Sequence, residues 1–155
     1  MAEGFRTVRM PGATVAIVNR GRVLLLKRIN LPFLINRGAW YFVGGGRKRG
    51  ESLLGTAYRE VQEETGIRRK GLTLLADSDV VIQDRRKRMR WANRLFVMRA
   101  SDDRVRLNIE NRDYRWVRFS DLRRCEGLLG TLEDSGAVLR LIGRHAAPGR
   151  SASRA

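Results

Sequence analysis

Glu60, Glu63 and Glu64 fall within five consecutive positions of "GGRKRGESLLGTAYREVQEETGI", residues 45–67, and Glu51 precedes them in the same stretch. Carboxylates this close repel one another, yet the chain around them carries a formal net charge of +16. On a helix turning by roughly 100° per residue, the three acids lie within an arc of about 100°. Glu60 and Glu64 then form an i,i+4 like-charge pair, unfavourable by about 0.2–0.5 kcal/mol in water and by more once desolvated. A solvated face tolerates that repulsion; a divalent cation removes it. Mg²⁺ takes oxygen ligands in octahedral geometry, through one or two carboxylates, waters and substrate phosphates. Arg59 is spaced to pair with Glu63, which orients that acid and leaves Glu60 and Glu64 unpaired.

Such acids need a helix beneath them. Leu54, Ala57, Tyr58 and Val61 recur at i, i+3, i+4, i+7, the spacing of one buried helical face. Ser52 suits the N-cap, and Gly66 followed by Ile67 suits the stop. Directly ahead, Gly44-Gly45-Gly46 lets the backbone turn tightly and offer a carbonyl to a metal or an N–H to a phosphate. Further out, "ATVAIV", "NRGR" and "VLLLKR" read as strand, turn and strand. "INLPFLINRGA" reads as a loop, because Pro32 opposes a regular element, and "WYFVGGG" as one short strand running into three glycines. "LTLLADSDVVIQ" and "RWANRLFVMRA" are strands separated by the basic turn "DRRKRMR", with "YRWVRF" another. "SDLRRC" opens with a helix-start pattern, and "TLEDSGAVLRLIGRHA" forms a C-terminal helix. The order is mixed α and β.

The 155 residues suit one domain, taken as residues 1–146, with a basic, disordered tail over 147–155. An apolar fraction of 43% is that of a folded chain. No apolar run approaches the roughly 20 residues of a membrane span. The opening "MAEGFRTVRMPGA" lacks the apolar core of a secretory signal. Cys125 is the single cysteine, which excludes an internal disulfide and a cysteine zinc cluster. These features suit a cytoplasmic setting. Thirty-two Lys plus Arg against sixteen Asp plus Glu make a field that attracts phosphates, nucleic acid and other polyanions, although so arginine-rich a chain is equally read as coding bias.

Residues 45–67 match G-x5-E-x7-R-E-U-x-E-E-x-G-U, with U aliphatic, at every fixed position, and in this the chain resembles a Nudix hydrolase of the small single-domain, MutT-like kind. A looser likeness runs from about residue 13 to residue 124. The resemblance implies an α/β/α sandwich around a mixed β-sheet, with the box as loop–helix–loop. It implies Mg²⁺-dependent, or Mn²⁺-dependent, hydrolysis of the diphosphate bond in a nucleoside diphosphate linked to another group. By the same resemblance, Glu60, Glu63 and Glu64 are metal-binding acids, Gly45 reaches a metal through its carbonyl, and Glu51 lies near a further ion. Arg59 orients a neighbouring glutamate. Where many relatives carry a proline before the glycine pair, this chain has Val43-Gly44. In "ENRDYRWV", Glu110 matches an additional ligand or base, with Asp113 a weaker substitute.

The general base is Glu60, Glu63 or Glu110; such a base typically contributes ~10²–10⁴-fold. Cys125 and His145 need no catalytic role. Trp40, Tyr41, Phe33 and Trp91 are candidates for base stacking, and Arg28, Arg47, Lys48, Arg49 and Arg90 for phosphate contact. A small nucleotide such as a nucleoside triphosphate ranks first as substrate. Nucleotide sugars, dinucleoside polyphosphates and a triphosphorylated RNA 5′ end are the alternatives. A nucleotide-sensing protein that does not cleave, or a prenyl-diphosphate isomerase needing a placed cysteine, ranks lower. A homodimer is compatible with the chain.

Overall fold

The computed structural model describes residues 4–29, 40–85, 87–125, 128 and 132–146. In chain order the strands are β1 (Arg6–Asn19), β2 (Arg22–Arg28), β3 (Trp40–Tyr41), β4 (Val43–Gly46), β5 (Leu72–Asp84), β6 (Met89–Ala100) and β7 (Asn111–Arg118). Helix α1 (Leu53–Thr65) lies between β4 and β5, and α2 (Ser135–Ala146) follows β7. Short 3-10 turns occupy Arg69–Gly71 and Phe119–Arg124. The sheet runs β3-β2-β1-β6-β5, with β4 also on β1 and β7 also on β2. β1 and β6 are parallel and the other pairings antiparallel.

The sheet is covered on both faces, which explains the unbroken apolar runs of β1 and β2. Ala13, Val15, Ile17, Leu24, Leu26, Phe96 and Met98 pack with Ala57 and Val61 of α1. Their neighbours Ala16, Val18, Val23, Leu25, Leu95 and Val97 pack with Val138, Leu139 and Ile142 of α2. This is the α/β/α arrangement around a mixed sheet that the resemblance implied.

The anticipated β1–β2 hairpin closes over only two residue pairs, Val18↔Val23 and Asn19↔Arg22. Beyond them the strands part, and the segment "WYFVGGG" crosses the fork. It therefore forms two strands rather than the one expected. Trp40 and Tyr41 pair with β2, Phe42 is buried at the crossing, and Val43–Gly46 pairs with β1. That fork sets the glycines over the helix. α1 begins as expected, the Ser52 hydroxyl accepting the Gly55 N–H at 2.9 Å. It ends at Gly66, whose φ of 73° is one a side chain strains to adopt.

The C-terminal helix starts later than its sequence pattern suggested. Leu132 bridges to Ile82, and the Glu133 N–H donates to the Val81 carbonyl. The Asp134 carboxylate then accepts the Ala137 N–H at 3.0 Å and starts α2, so the preceding residues serve the sheet. "SDLRRC" contributes to a single 3-10 stretch that stops at Cys125. The loop around Pro32 and Phe33, Arg86 and the tail 147–155 lie outside the described residues.

Candidate active site

The acids gather where α1 passes the glycine strand. Gly44, Gly45 and Gly46 pair with Thr14, Ala13 and Gly12 of β1. A Cβ at Gly45 would overlap the Glu60 carboxylate. The missing side chain is the cradle in which that carboxylate rests. The Gly45 carbonyl oxygen itself lies against Gly12, 2.8 Å from where a side chain there would begin. Gly45→Ala is expected to displace Glu60 at about 1–3 kcal/mol, lowering Tm by roughly 2–12 °C. An unchanged melting curve would mean that the carboxylate is free to move aside.

Glu64 is 1% exposed. Its two oxygens accept from the Gly44 N–H at 3.3 Å and the Asn111 side-chain amide at 3.1 Å. Burial dominates its acidity and pushes the carboxyl up to about 8, against the opposing pull of Asn111 and Arg28. Burial also raises Glu60, although Arg59 lowers it and the Glu63 charge adds to the rise. Glu63 is half-exposed at 49% of its side chain.

Arg59 binds nearly everything else. Its Nε and Nη2 donate to Glu51 at 2.8 and 2.9 Å, and Nη1 to Glu60 at 2.8 Å and Glu63 at 3.2 Å. Nη2 also reaches the Gly46 carbonyl at 3.0 Å. The guanidinium beside Glu51 holds that carboxyl down at about 2. The expectation that Arg59 serves Glu63 and leaves Glu60 and Glu64 unpaired is therefore corrected. Glu60 shares the same guanidinium, and Glu64 has two neutral donors. Part of the cation that the acids require is supplied from within the chain.

Among the described residues, no three acidic, histidine or cysteine side chains already converge into a metal cage. The donor set nonetheless fits a hard divalent cation. The chain offers only oxygen here, from carboxylates one helical turn apart. A buried, proton-holding carboxyl such as Glu64 is also a group that a cation would ionise.

A buried polar atom without a partner adjoins the acids. Arg28 Nε is buried and makes no hydrogen bond. Its guanidinium lies 4.7 Å from the Tyr41 ring centroid, and its charge acts on Glu64. The Tyr41 hydroxyl in turn meets Asn111 Oδ1 at 3.4 Å. Arg28, Tyr41 and the acids are thus brought together. Other candidates are placed differently. Trp40 packs against the α2-side core between Lys27 and Arg115, whose charges sit 5.5 and 4.7 Å from its ring. Arg90 is ion-paired with Glu133, and Trp91 is half-buried on β6. Arg47, Lys48 and Arg49 are exposed.

The side chain of Glu110 is exposed, and its backbone carbonyl accepts the Ile29 N–H at 3.0 Å. Asp113 is exposed and accepts from the N–H of Tyr114. Cys125 is half-buried, which raises its thiol, and His145 is half-buried on α2. Asn111 is the residue that sequence reasoning passed over. It is 5% exposed and holds Glu64. Its signal was weak, because the strand was expected over "YRWVRF", three residues further on, whereas β7 begins at Asn111 itself.

A profile described as NUDIX domain matches residues 8–137. The RNA pyrophosphohydrolase of Psychrobacter cryohalolentis is 38% identical over 78 residues, covering 48% of this chain and 38% of that relative. A crystal structure of a MutT NUDIX hydrolase from Burkholderia pseudomallei superposes with a TM-score of 0.59 at 27% identity, covering 73% of this chain and 85% of the other. The MutT protein from Methanosarcina mazei Go1 shares the fold at a TM-score of 0.73 and 24% identity, covering 91% and 99% respectively.

Proposed function

The chain belongs to the NUDIX domain family, and on that premise we propose that it is a divalent-metal-dependent pyrophosphohydrolase. It cleaves the diphosphate bond of a nucleoside diphosphate linked to a further group. The observation that carries this reading is the acid set of α1: Arg59 locks Glu60 and Glu63 against the glycine strand, while Gly44 and Asn111 hold Glu64. Mg²⁺ is the preferred ion and Mn²⁺ a substitute, because the donors are carboxylates. Glu60 and Glu64 would hold it, with Glu63, Glu51 and the Gly45 backbone alongside. When bound, the ion neutralises diphosphate charge and eases deprotonation of the attacking water.

The remaining work falls to the chain. Arg59 holds Glu51, Glu60 and Glu63 in one orientation, so that their oxygens need not reorganise during the reaction. Arg28 brings a charged group with an unused N–H beside Glu64, suited to a phosphate oxygen. Glu63, the most exposed of the helix acids, takes the proton of the water that attacks phosphorus, and Glu110 is the rival for that step. The new P–O bond forms as the bridging P–O bond breaks, and the leaving phosphate carries away the bonding pair.

The group beyond the diphosphate has two readings. The small NUDIX domain suits a free nucleotide. Two curated relatives that it matches, of whose length the aligned stretch spans 38%, are RNA pyrophosphohydrolases, which favours an RNA 5′ end. Incubation with nucleoside triphosphates, dinucleoside polyphosphates, nucleotide sugars and triphosphorylated RNA, with products identified by mass, separates them. Turnover should need added Mg²⁺ or Mn²⁺. Equal turnover in excess chelator, or none on any diphosphate, would sink the reading. Among the described residues no helix is long and apolar enough to cross a membrane.

A further inference from the structure

Strand β7 leaves the acid cluster and carries a charge pattern that hydrolysis at the acids does not use. Its first residue, Asn111, holds Glu64, and its last, Arg118, lies about 23 Å further along at ~3.3 Å per residue. Arg112 and Arg118 are exposed, as is Arg115, which strand alternation turns to the opposite face, over the Trp40 ring. The strand's only acid, Asp113, accepts from the N–H of Tyr114. Among the described residues, ion pairs engage Arg59, Arg90, Arg94 and Arg124, and none of the β7 arginines.

At the far end Arg118 stands directly opposite Arg22 of β2, both exposed, and the turn beyond adds Arg20. Like charges facing across a ladder repel. As with the glutamates of α1, the arrangement is one that a counter-charge between the side chains would relieve. β7 pairs with β2 on one side, and among the described residues no strand covers its other side. Tyr114, 37% exposed, sets an aromatic ring among the arginines. Charged residues on an edge strand also deter sheet-to-sheet aggregation. That need is met without placing two arginines face to face, and without starting the row at the acids.

We propose that the β7 edge is a track for the backbone of single-stranded RNA whose 5′ end sits at the acids of α1. Phosphates meet Arg112 near the acids and Arg118 and Arg22 at the far end, and a base between them stacks on Tyr114. A free nucleotide held at the acids does not extend along this row. RNA is the polyanion chosen because chains begun from a nucleoside triphosphate keep a diphosphate bond at their 5′ end. The placement of that end rests on the hydrolase reading; the track does not.

The test uses the full chain and a 3′-labelled RNA 12-mer with a 5′ hydroxyl, which cannot be hydrolysed at a diphosphate. Its Kd is measured by anisotropy at several salt concentrations. Arg22→Gln/Arg112→Gln/Arg118→Gln is expected to weaken binding at least tenfold at low salt. The slope of log K against log salt should fall by about 2, at roughly 0.7 per lost phosphate contact. Turnover of a free nucleoside triphosphate should stay within twofold. A control, Arg85→Gln/Arg88→Gln/Arg99→Gln, removes the same charge elsewhere and should keep the slope. Equal losses in both variants, or an unchanged slope in the first, would overturn the track. So would inorganic polyphosphate binding through these arginines while the RNA ignores them. Because the probe needs no cleavage, an inactive chain whose RNA binding still drops in the first variant sinks the reaction and leaves the track standing.

Discussion

Glu64→Gln is expected to lower turnover by about 10²–10⁴-fold, the range lost when one placed charge is removed from a catalytic centre. The fold should survive. Glutamine keeps the shape of the buried side chain, its carbonyl can still accept the Gly44 N–H, and the Asn111 amide can turn to accept in its place. Burial holds the wild-type carboxyl protonated up to about 8, so the metal-free site already contains a neutral group at neutral pH. The sign of the pH dependence follows. The unfolded chain releases this proton near 4.5, well below the folded value. The native state therefore binds the extra proton, and the stability it confers is complete below about 4.5 and lost as pH climbs through 8. In chelator, the Tm of the wild type should fall between pH 5 and 8, and added Mg²⁺ should oppose that fall with release of a proton. Glu64→Gln should flatten part of the slope, while Glu60, also raised by burial, keeps some of it. Full turnover in the variant would remove Glu64 from the reaction.

Arg59→Ala is expected to act on stability and activity together. The guanidinium is the common partner of Glu51, Glu60 and Glu63 and of the Gly46 carbonyl. Without it, three carboxylates face one another with no fixed cation. The groups are partly solvated, so the loss is set below that of a fully buried pair, at about 2–3 kcal/mol, or a Tm lower by roughly 5–10 °C in chelator. Turnover should fall by ~10–100-fold, as when a residue that orients ligands is removed. Excess Mg²⁺ should recover much of the Tm and little of the rate. Arg59→Lys should recover neither fully, since an ammonium is a point charge and cannot span these partners. A chelator-treated Arg59→Ala protein melting like the wild type would show that the acids do not depend on the guanidinium.

Much of this was legible before folding, and α1 shows why. Ser52 and Gly66 bound it as their chemistry dictates, and Ala57 and Val61 reach the core as their spacing requires. Helix geometry depends on neighbours in the chain, so three acids on one arc can be read from their positions. The strand runs of β5 and β6 were readable for the same reason. Where a second element intervened, reading faltered. "WYFVGGG" was divided between two partners because β1 and β2 diverge, and the residues ahead of α2 were claimed by a bridge to β5.

Local spacing by itself determined the acid face, its helix and the glycines before it. Only the tertiary structure decided what surrounds each acid. Asn111 reaches Glu64 from 47 positions away and Gly44 from 20, while Arg28 comes to the same place from another strand. Periodicity sets an angle within one element. The partner across a gap depends on sheet register and on where two strands part, and no single segment of the chain encodes either.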